Sequence, residues 1–148
     1  MCIIGIFLTN SFDMTDSPKG PSCGMYVAIA RLNHSCSPNV QQTHLPESQE
    51  EVLYASRDIQ IGEEINDCYI ELRKGKRARN KELLELFRFE CSCVSCSLDD
   101  VSRASDDNCR EKAMVLEDAM LELTSNGDPW GAFNTSKQLI DLLTNVHR

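Results

Sequence analysis

Cys91-Ser92-Cys93-Val94-Ser95-Cys96 brings three thiols into six consecutive residues, close enough for a tight loop to turn them toward one point. Zn²⁺ takes four ligands in a tetrahedron, so one ligand is still wanted. Cys2, Cys23, Cys36, Cys68 and Cys109 all have the right chemistry, and spacing does not choose among them. A second concentration of polar groups lies at Asn33-His34-Ser35-Cys36-Ser37-Pro38-Asn39, where amide, imidazole and thiol share one short turn. The other candidates read more simply. Cys68, beside Tyr69, has no histidine placed for it as a base, so the role of a small buried hydrophobe is expected, as for Cys2, Cys23 and Cys109. His44, His147 and the pair Glu63-Glu64 read as solvated.

Elements must hold these groups in place. Ile3–Leu8, Met25–Leu32, Val52–Ser56 and Ile65–Ile70 are short apolar runs between turn formers and read as strands. Thr15 to Pro21 reads as a loop, and Gly62-Glu63-Glu64 as a turn. Leu83, Leu84 and Phe87 recur at helical spacing within Lys76–Phe87. Ser97–Asn108 is poor in apolar residues and reads as a linker. Beyond it, Ala113, Leu116, Met120 and Leu123 form one amphipathic stripe, Asn126-Gly127-Asp128-Pro129 stops it, and Ala132–Val146 supplies a second helix of an antiparallel pair.

The 148 residues match the size of one domain. A formal charge of −8 argues against generic nucleic-acid binding, and the basic run from Arg73 to Lys81 reads as a solvated helix start, with contact to a phosphate or an acidic peptide as the alternative. The opening apolar run is too short to span a bilayer and lacks the basic flank of a signal peptide, so no membrane partner is expected. Eight cysteines without a secretory signal suit a reducing compartment, the cytoplasm or the nucleus.

Four ordered motifs carry a resemblance. Asn33-His34-Ser35-Cys36-Ser37-Pro38-Asn39 resembles the NHSC-x-PN signature of the SET-domain protein lysine methyltransferases. Gly62-Glu63-Glu64-Ile65 followed by Tyr69 is similar to that family's G-E-E-[LI]-x-x-x-Y segment, and Phe89-x-Cys91-x-Cys93-x-x-Cys96 to its post-SET segment. Asn10-Ser11-Phe12 resembles the N-S-F of the SET-and-MYND (SMYD-like) subfamily, in which helical repeats follow the post-SET cysteines. The likeness is close over residues 8 to 96 and looser in the helical tail.

The resemblance implies an α+β fold: a mostly β SET-type unit of short strands, incomplete at its N-terminus, a zinc-bound post-SET segment and a C-terminal α-helical hairpin. Residues 1–97 would be the C-terminal part of a SET domain with its post-SET segment, and 98–148 a helical extension, the start of a TPR-like region. The implied reaction is methyl transfer from S-adenosylmethionine to a lysine of a histone or another protein. Tyr69 would be the catalytic tyrosine, orienting the amine rather than acting as a proven base, because a phenol is mostly protonated at neutral pH. Asn33 and His34 would hold the cofactor and Phe89 would pack on its adenine. Phe12 and Phe87 would line the lysine channel, with plain core packing as the alternative for all three rings. Cys36 would join Cys91, Cys93 and Cys96 around Zn²⁺. Relatives often carry Tyr where Phe87 stands, which leaves the number of methyl groups open. Neither the family's Gly-x-Gly cofactor segment nor a MYND Cys/His set precedes Asn10. That departure keeps a second expectation in play, a catalytically inactive, zinc-stabilised SET-like module that binds a protein partner.

Overall fold

The computed structural model describes residues 3–14 and 22–146, so the expected loop from Thr15 to Pro21, with Cys2 and His147, lies outside the described part. Helix α1 (Ile3–Asn10) leads into the short antiparallel pair β1 (Phe12–Met14) and β2 (Ser22–Gly24). A single 3₁₀ turn at Ile29–Arg31 precedes β3 (Asn33–His34). Strands β4 (Val40–Leu45) and β5 (Glu50–Ala55) form a hairpin in the register Val40↔Ala55 to Leu45↔Glu50, and β6 (Asn66–Asp67) pairs in parallel with β3. Helix α2 (Lys76–Phe87), a 3₁₀ turn at Ser95–Ser97, and helices α3 (Asp100–Ser125) and α4 (Pro129–Val146) complete the chain.

Four segments depart from the sequence expectation. Ile3–Leu8 lies in helix α1 rather than a strand, and Thr9 Oγ1 and Asn10 Nδ2 donate to the Gly5 and Ile6 carbonyls near its end (2.9 and 2.8 Å). A short apolar run fits either state, and among the described residues no strand pairs with this one. Within Met25–Leu32, the Ala30 and Leu32 amides bond back to the Tyr26 and Ile29 carbonyls, giving turns instead of a strand. Ile65–Ile70 forms a ladder only at Asn66–Asp67, because the next two amides go to side chains: Cys68 N–H to Asp67 Oδ1 (2.8 Å) and Tyr69 N–H to His34 Nδ1 (3.0 Å).

The expected linker Ser97–Asn108 mostly lies in α3. Asp99 caps that helix, its Oδ1 accepting from the Val101 and Ser102 amides at 3.0 and 3.1 Å. The polar composition reflects polar neighbours. Asp107 accepts from the Lys76 amide (2.7 Å) and so caps the first turn of α2 from outside it, where Gly75 offers no side chain of its own. A Cβ at Gly75 would approach that carboxylate to 3.2 Å.

The charged run after Tyr69 is largely engaged within the fold: Arg73 pairs with Glu71 and Glu117, Lys74 with Glu82, and Arg79 is completely buried. The His44 side chain is only 5% exposed, a correction to the solvated reading; its Nδ1 lies 3.4 Å from Glu51 Oε2 across the hairpin and 3.2 Å from the Tyr26 hydroxyl. Cys23, by contrast, is exposed.

Asn39, only 2% exposed, locks the strand ends together. Its Nδ2 donates to Glu63 Oε1 and the Glu64 carbonyl, its Oδ1 accepts from the Asn66 amide, and its carbonyl accepts from the Ser56 amide. Gly62, at φ +84°, makes the left-handed turn that delivers Glu63. The Arg57 guanidinium bonded to Glu63, helped by the Gln60 amide and Asn39, pulls that carboxyl down to about 2. Asn39→Ala strands the Asn66 amide and should lower stability by about 1–3 kcal/mol. An unchanged urea midpoint would contradict this locking role.

Candidate active site

The buried core and the chemical groups coincide: Cys36, Ile70, Leu83, Cys91 and Cys96 form its centre, with Tyr69, Leu72, Phe87, Phe89 and Cys93 packed around them. Cys36 arrives on the turn after β3. The other three thiols follow α2, whose C-cap Arg88 adopts a left-handed conformation (φ 65°, ψ 31°) that turns the chain back. The Cys91 amide is held by Asn80 Oδ1 (3.2 Å), and the Ser97 amide closes the loop onto the Cys93 carbonyl (2.9 Å).

The Sγ atoms of Cys36, Cys91, Cys93 and Cys96 all lie within 4.8 Å of one another, with Cys36 and Cys96 at 3.6 Å. Four thiolates at 2.3 Å from a tetrahedral ion sit about 3.8 Å apart, so this donor set fits a thiophilic metal. Burial pushes the Cys36 thiol up. Cys93 behaves differently: burial would raise it too, but the Cys96 and Cys36 amides and the Cys91 thiol pull it down to about 7. Backbone N–H groups aimed at that sulfur favour the thiolate a metal requires.

His34 connects this cluster to Tyr69. It is buried, accepts the Tyr69 amide on Nδ1, and places Nε2 3.3 Å from the Cys36 sulfur. An Nδ1 that accepts leaves the proton on Nε2, which therefore donates to the sulfur. Burial, with Arg79 nearby, lowers the His34 pKa to about 4, so the ring is neutral at physiological pH. Asn33 is exposed and donates to Glu64 Oε1 (2.6 Å), so Glu64 does more than face solvent.

The Tyr69 hydroxyl donates to the Leu32 carbonyl, and its ring lies 5.0 Å from Phe87, 5.4 Å from His34 and 6.4 Å from Phe89. Burial first and the Asp67 carboxylate second raise its pKa, so the phenol keeps its proton. Tyr69, Phe12, Phe87, Leu32 and Gln42 line one cavity of about 270 Å³, with Cys68 in the same wall. Phe12 rests edge-on against Tyr26 at 6.2 Å. Asn33, His34 and Phe89 lie outside the lining, although Phe89 comes within 6.1 Å of the His34 ring.

Sequence reasoning overlooked Arg79 and Gln42. Arg79 stands four residues before Leu83 and eight before Phe87, on one face of α2, so the helical spacing that selected those two also reaches it. Its residue type suggested solvent. Gln42 carries a buried Oε1 without a hydrogen-bond partner among the described residues, and nothing in the sequence distinguishes it from Gln41 except strand parity.

Residues 7–70 match the family model described as SET domain. Over 139 residues, 94% of its length, the chain is 34% identical to the histone-lysine N-methyltransferase set5 of Schizosaccharomyces pombe. It is 35% identical over 98 residues, 63% of its length, to the human histone-lysine N-methyltransferase SMYD3, and 35% identical over 104 residues, 67% of its length, to the chicken protein-lysine N-trimethyltransferase SMYD5. The chain spans 42%, 22% and 24% of these three relatives. The ordered motifs, the family match and this similarity agree: residues 7–70 carry a SET domain.

Proposed function

We propose that the chain is part of an S-adenosylmethionine-dependent protein-lysine N-methyltransferase of the SET-and-MYND kind, acting on a histone or another protein in the cytoplasm or nucleus. One observation carries the reading. Within sequence similar to such enzymes, His34 joins a cavity walled by Tyr69 to a cluster of four cysteines. No described helix is long and apolar enough to cross a membrane. In this reading residues 1–97 are the SET and post-SET part and 98–148 a helical extension.

When bound, S-adenosylmethionine supplies a methyl group activated by its sulfonium. Asn33 and Phe89 would hold it by polar contact and ring packing. His34 would contribute through its backbone, since both ring nitrogens are already engaged. Phe12 and Phe87 would cover the apolar stem of the substrate lysine while leaving its amine free. Tyr69, kept protonated, donates its O–H in a hydrogen bond to the Leu32 carbonyl and retains a lone pair that can accept from the incoming amine. That aligns the nucleophile; the amine must arrive already neutral, because nothing here makes the phenol a base at pH 7.

Cys36, Cys91, Cys93 and Cys96 would hold Zn²⁺ structurally, with no open position, and tie the turn after β3 to the segment carrying Phe89. An unfolded chain lacks the assembled ligands, so binding would add directly to folding free energy.

Three measurements check this reading. Label transfer from radioactive S-adenosylmethionine to a protein mixture should fall on the order of 100-fold in Tyr69→Phe; equal labelling would remove Tyr69 from its role. Purified protein should contain one Zn²⁺ per chain and lose it in Cys91→Ser/Cys93→Ser, whereas unchanged metal content would refute the ligand set. Calorimetry should detect heat on adding S-adenosylmethionine or its demethylated product, and its absence would favour the inactive binding module.

A further inference from the structure

Arg79 is an unusual residue to find at zero exposure. Its Nε donates to the Cys36 sulfur at 3.3 Å and its Nη1 to the Lys74 carbonyl. Among the described residues Nη2 is buried without a hydrogen-bond partner, and the carboxylate oxygen that forms an ion pair with it, Asp106 Oδ2, stands 4.0 Å away. That oxygen is already used: Arg110 Nε donates to it at 2.9 Å and the Ser95 hydroxyl at 3.3 Å. Two guanidinium groups therefore share one carboxylate beside four sulfurs. With neutral thiols, the buried cation is poorly balanced, a costly arrangement in a low-dielectric interior.

A divalent ion held by four thiolates carries a net charge of about −2. We propose that Arg79 is the positioning residue of the four-cysteine metal centre: its buried guanidinium supplies the countercharge for the metal-bound thiolates and fixes the Cys36 sulfur by the Nε–H bond. This rests on the zinc reading given above and adds to it the group that makes the centre electrostatically complete. The placement also links the centre to the cavity. Arg79, Leu83 and Phe87 follow one another at four-residue spacing along α2, so the residue gripping Cys36 at one end sets the register of the ring that meets Tyr69 at the other. Helix α3 meets the same loop with Asp106 and Arg110, and Nη1 and Nη2 of Arg110 reach the Leu72 carbonyl and the Ser95 hydroxyl (2.6 and 3.2 Å).

The test measures zinc affinity of the whole chain by competition with a chromophoric chelator, together with thermal unfolding of the zinc-loaded and chelator-stripped forms. Arg79→Met should bind Zn²⁺ about 10–100-fold more weakly than wild type, the range typical for loss of an outer partner of a metal ligand. Its unfolding temperature should fall more in the loaded form than in the stripped form, where an unbalanced buried charge has been removed. Arg79→Lys, which keeps the charge but not the fork, should lie between the two in affinity. If Arg79→Met does not fold, Arg79→Gln takes its place in the same comparison. An affinity within about twofold of wild type in the neutral variant, or equal losses of unfolding temperature in both forms, would mark Arg79 as mere packing. A wild-type chain that takes up no zinc would instead sink the metal reading, and this proposal with it.

Discussion

The sulfur of Cys36 has to meet that of Cys96, 60 residues further along the chain, and most of the fold serves that encounter. Cys36 also receives an N–H from His34 on its own turn and another from Arg79, so two distant segments converge on one atom. The β3–β6 ladder brings Asp67 and Tyr69 alongside His34, while the locked turn at Asn39 holds the strand ends that flank it. Helix α2 spans the remaining distance and returns the chain at Arg88, three residues before Cys91.

A consequence is that, among the described residues, the main buried cluster and the candidate site are one and the same. Leu83 and Ile70 are fully or nearly buried, but the cluster they belong to also holds four thiols, a tyrosine, Leu72 and two phenylalanines, with the Arg79 guanidinium bonded to one of the thiols. Such an interior is held by directed bonds as much as by area removed from water, and each of its polar members must be satisfied. Helix α3 contributes on the same terms, its polar side chains capping α2 and bonding the Ser95 hydroxyl and the Leu72 carbonyl. A face that does this work has the composition of a linker.

That composition is why the sequence misled there. Asp and Ser between residues 97 and 108 signal a loop unless one knows that Asp107 faces Lys76, a contact made across the fold. The elements with strong local signals were legible: the Leu83–Phe87 stripe, the helix stop at Asn126 to Pro129, and the strand at Val52. The cysteine cluster was legible to three of its members from spacing, and to the fourth only through family likeness. Ile3–Leu8 fitted strand and helix equally, and β6 was shortened because His34 took the amide that a ladder would have used. Arg79 and His44 were read as solvated because charge type stands for exposure only until a buried partner is known.

The way α3 and α4 pack on each other while the cysteines reach across the chain has a bearing on folding order. The helical pair and the β4–β5 hairpin each join neighbours through a short connection, so both can close early at small entropic cost. Cys36 with Cys96, Arg79 with Cys36 and Tyr69 with Leu32 are separated by 60, 43 and 37 residues. Contacts of that span are reached late by a folding chain. The part of this protein that forms the candidate site is therefore the part whose assembly waits for everything else.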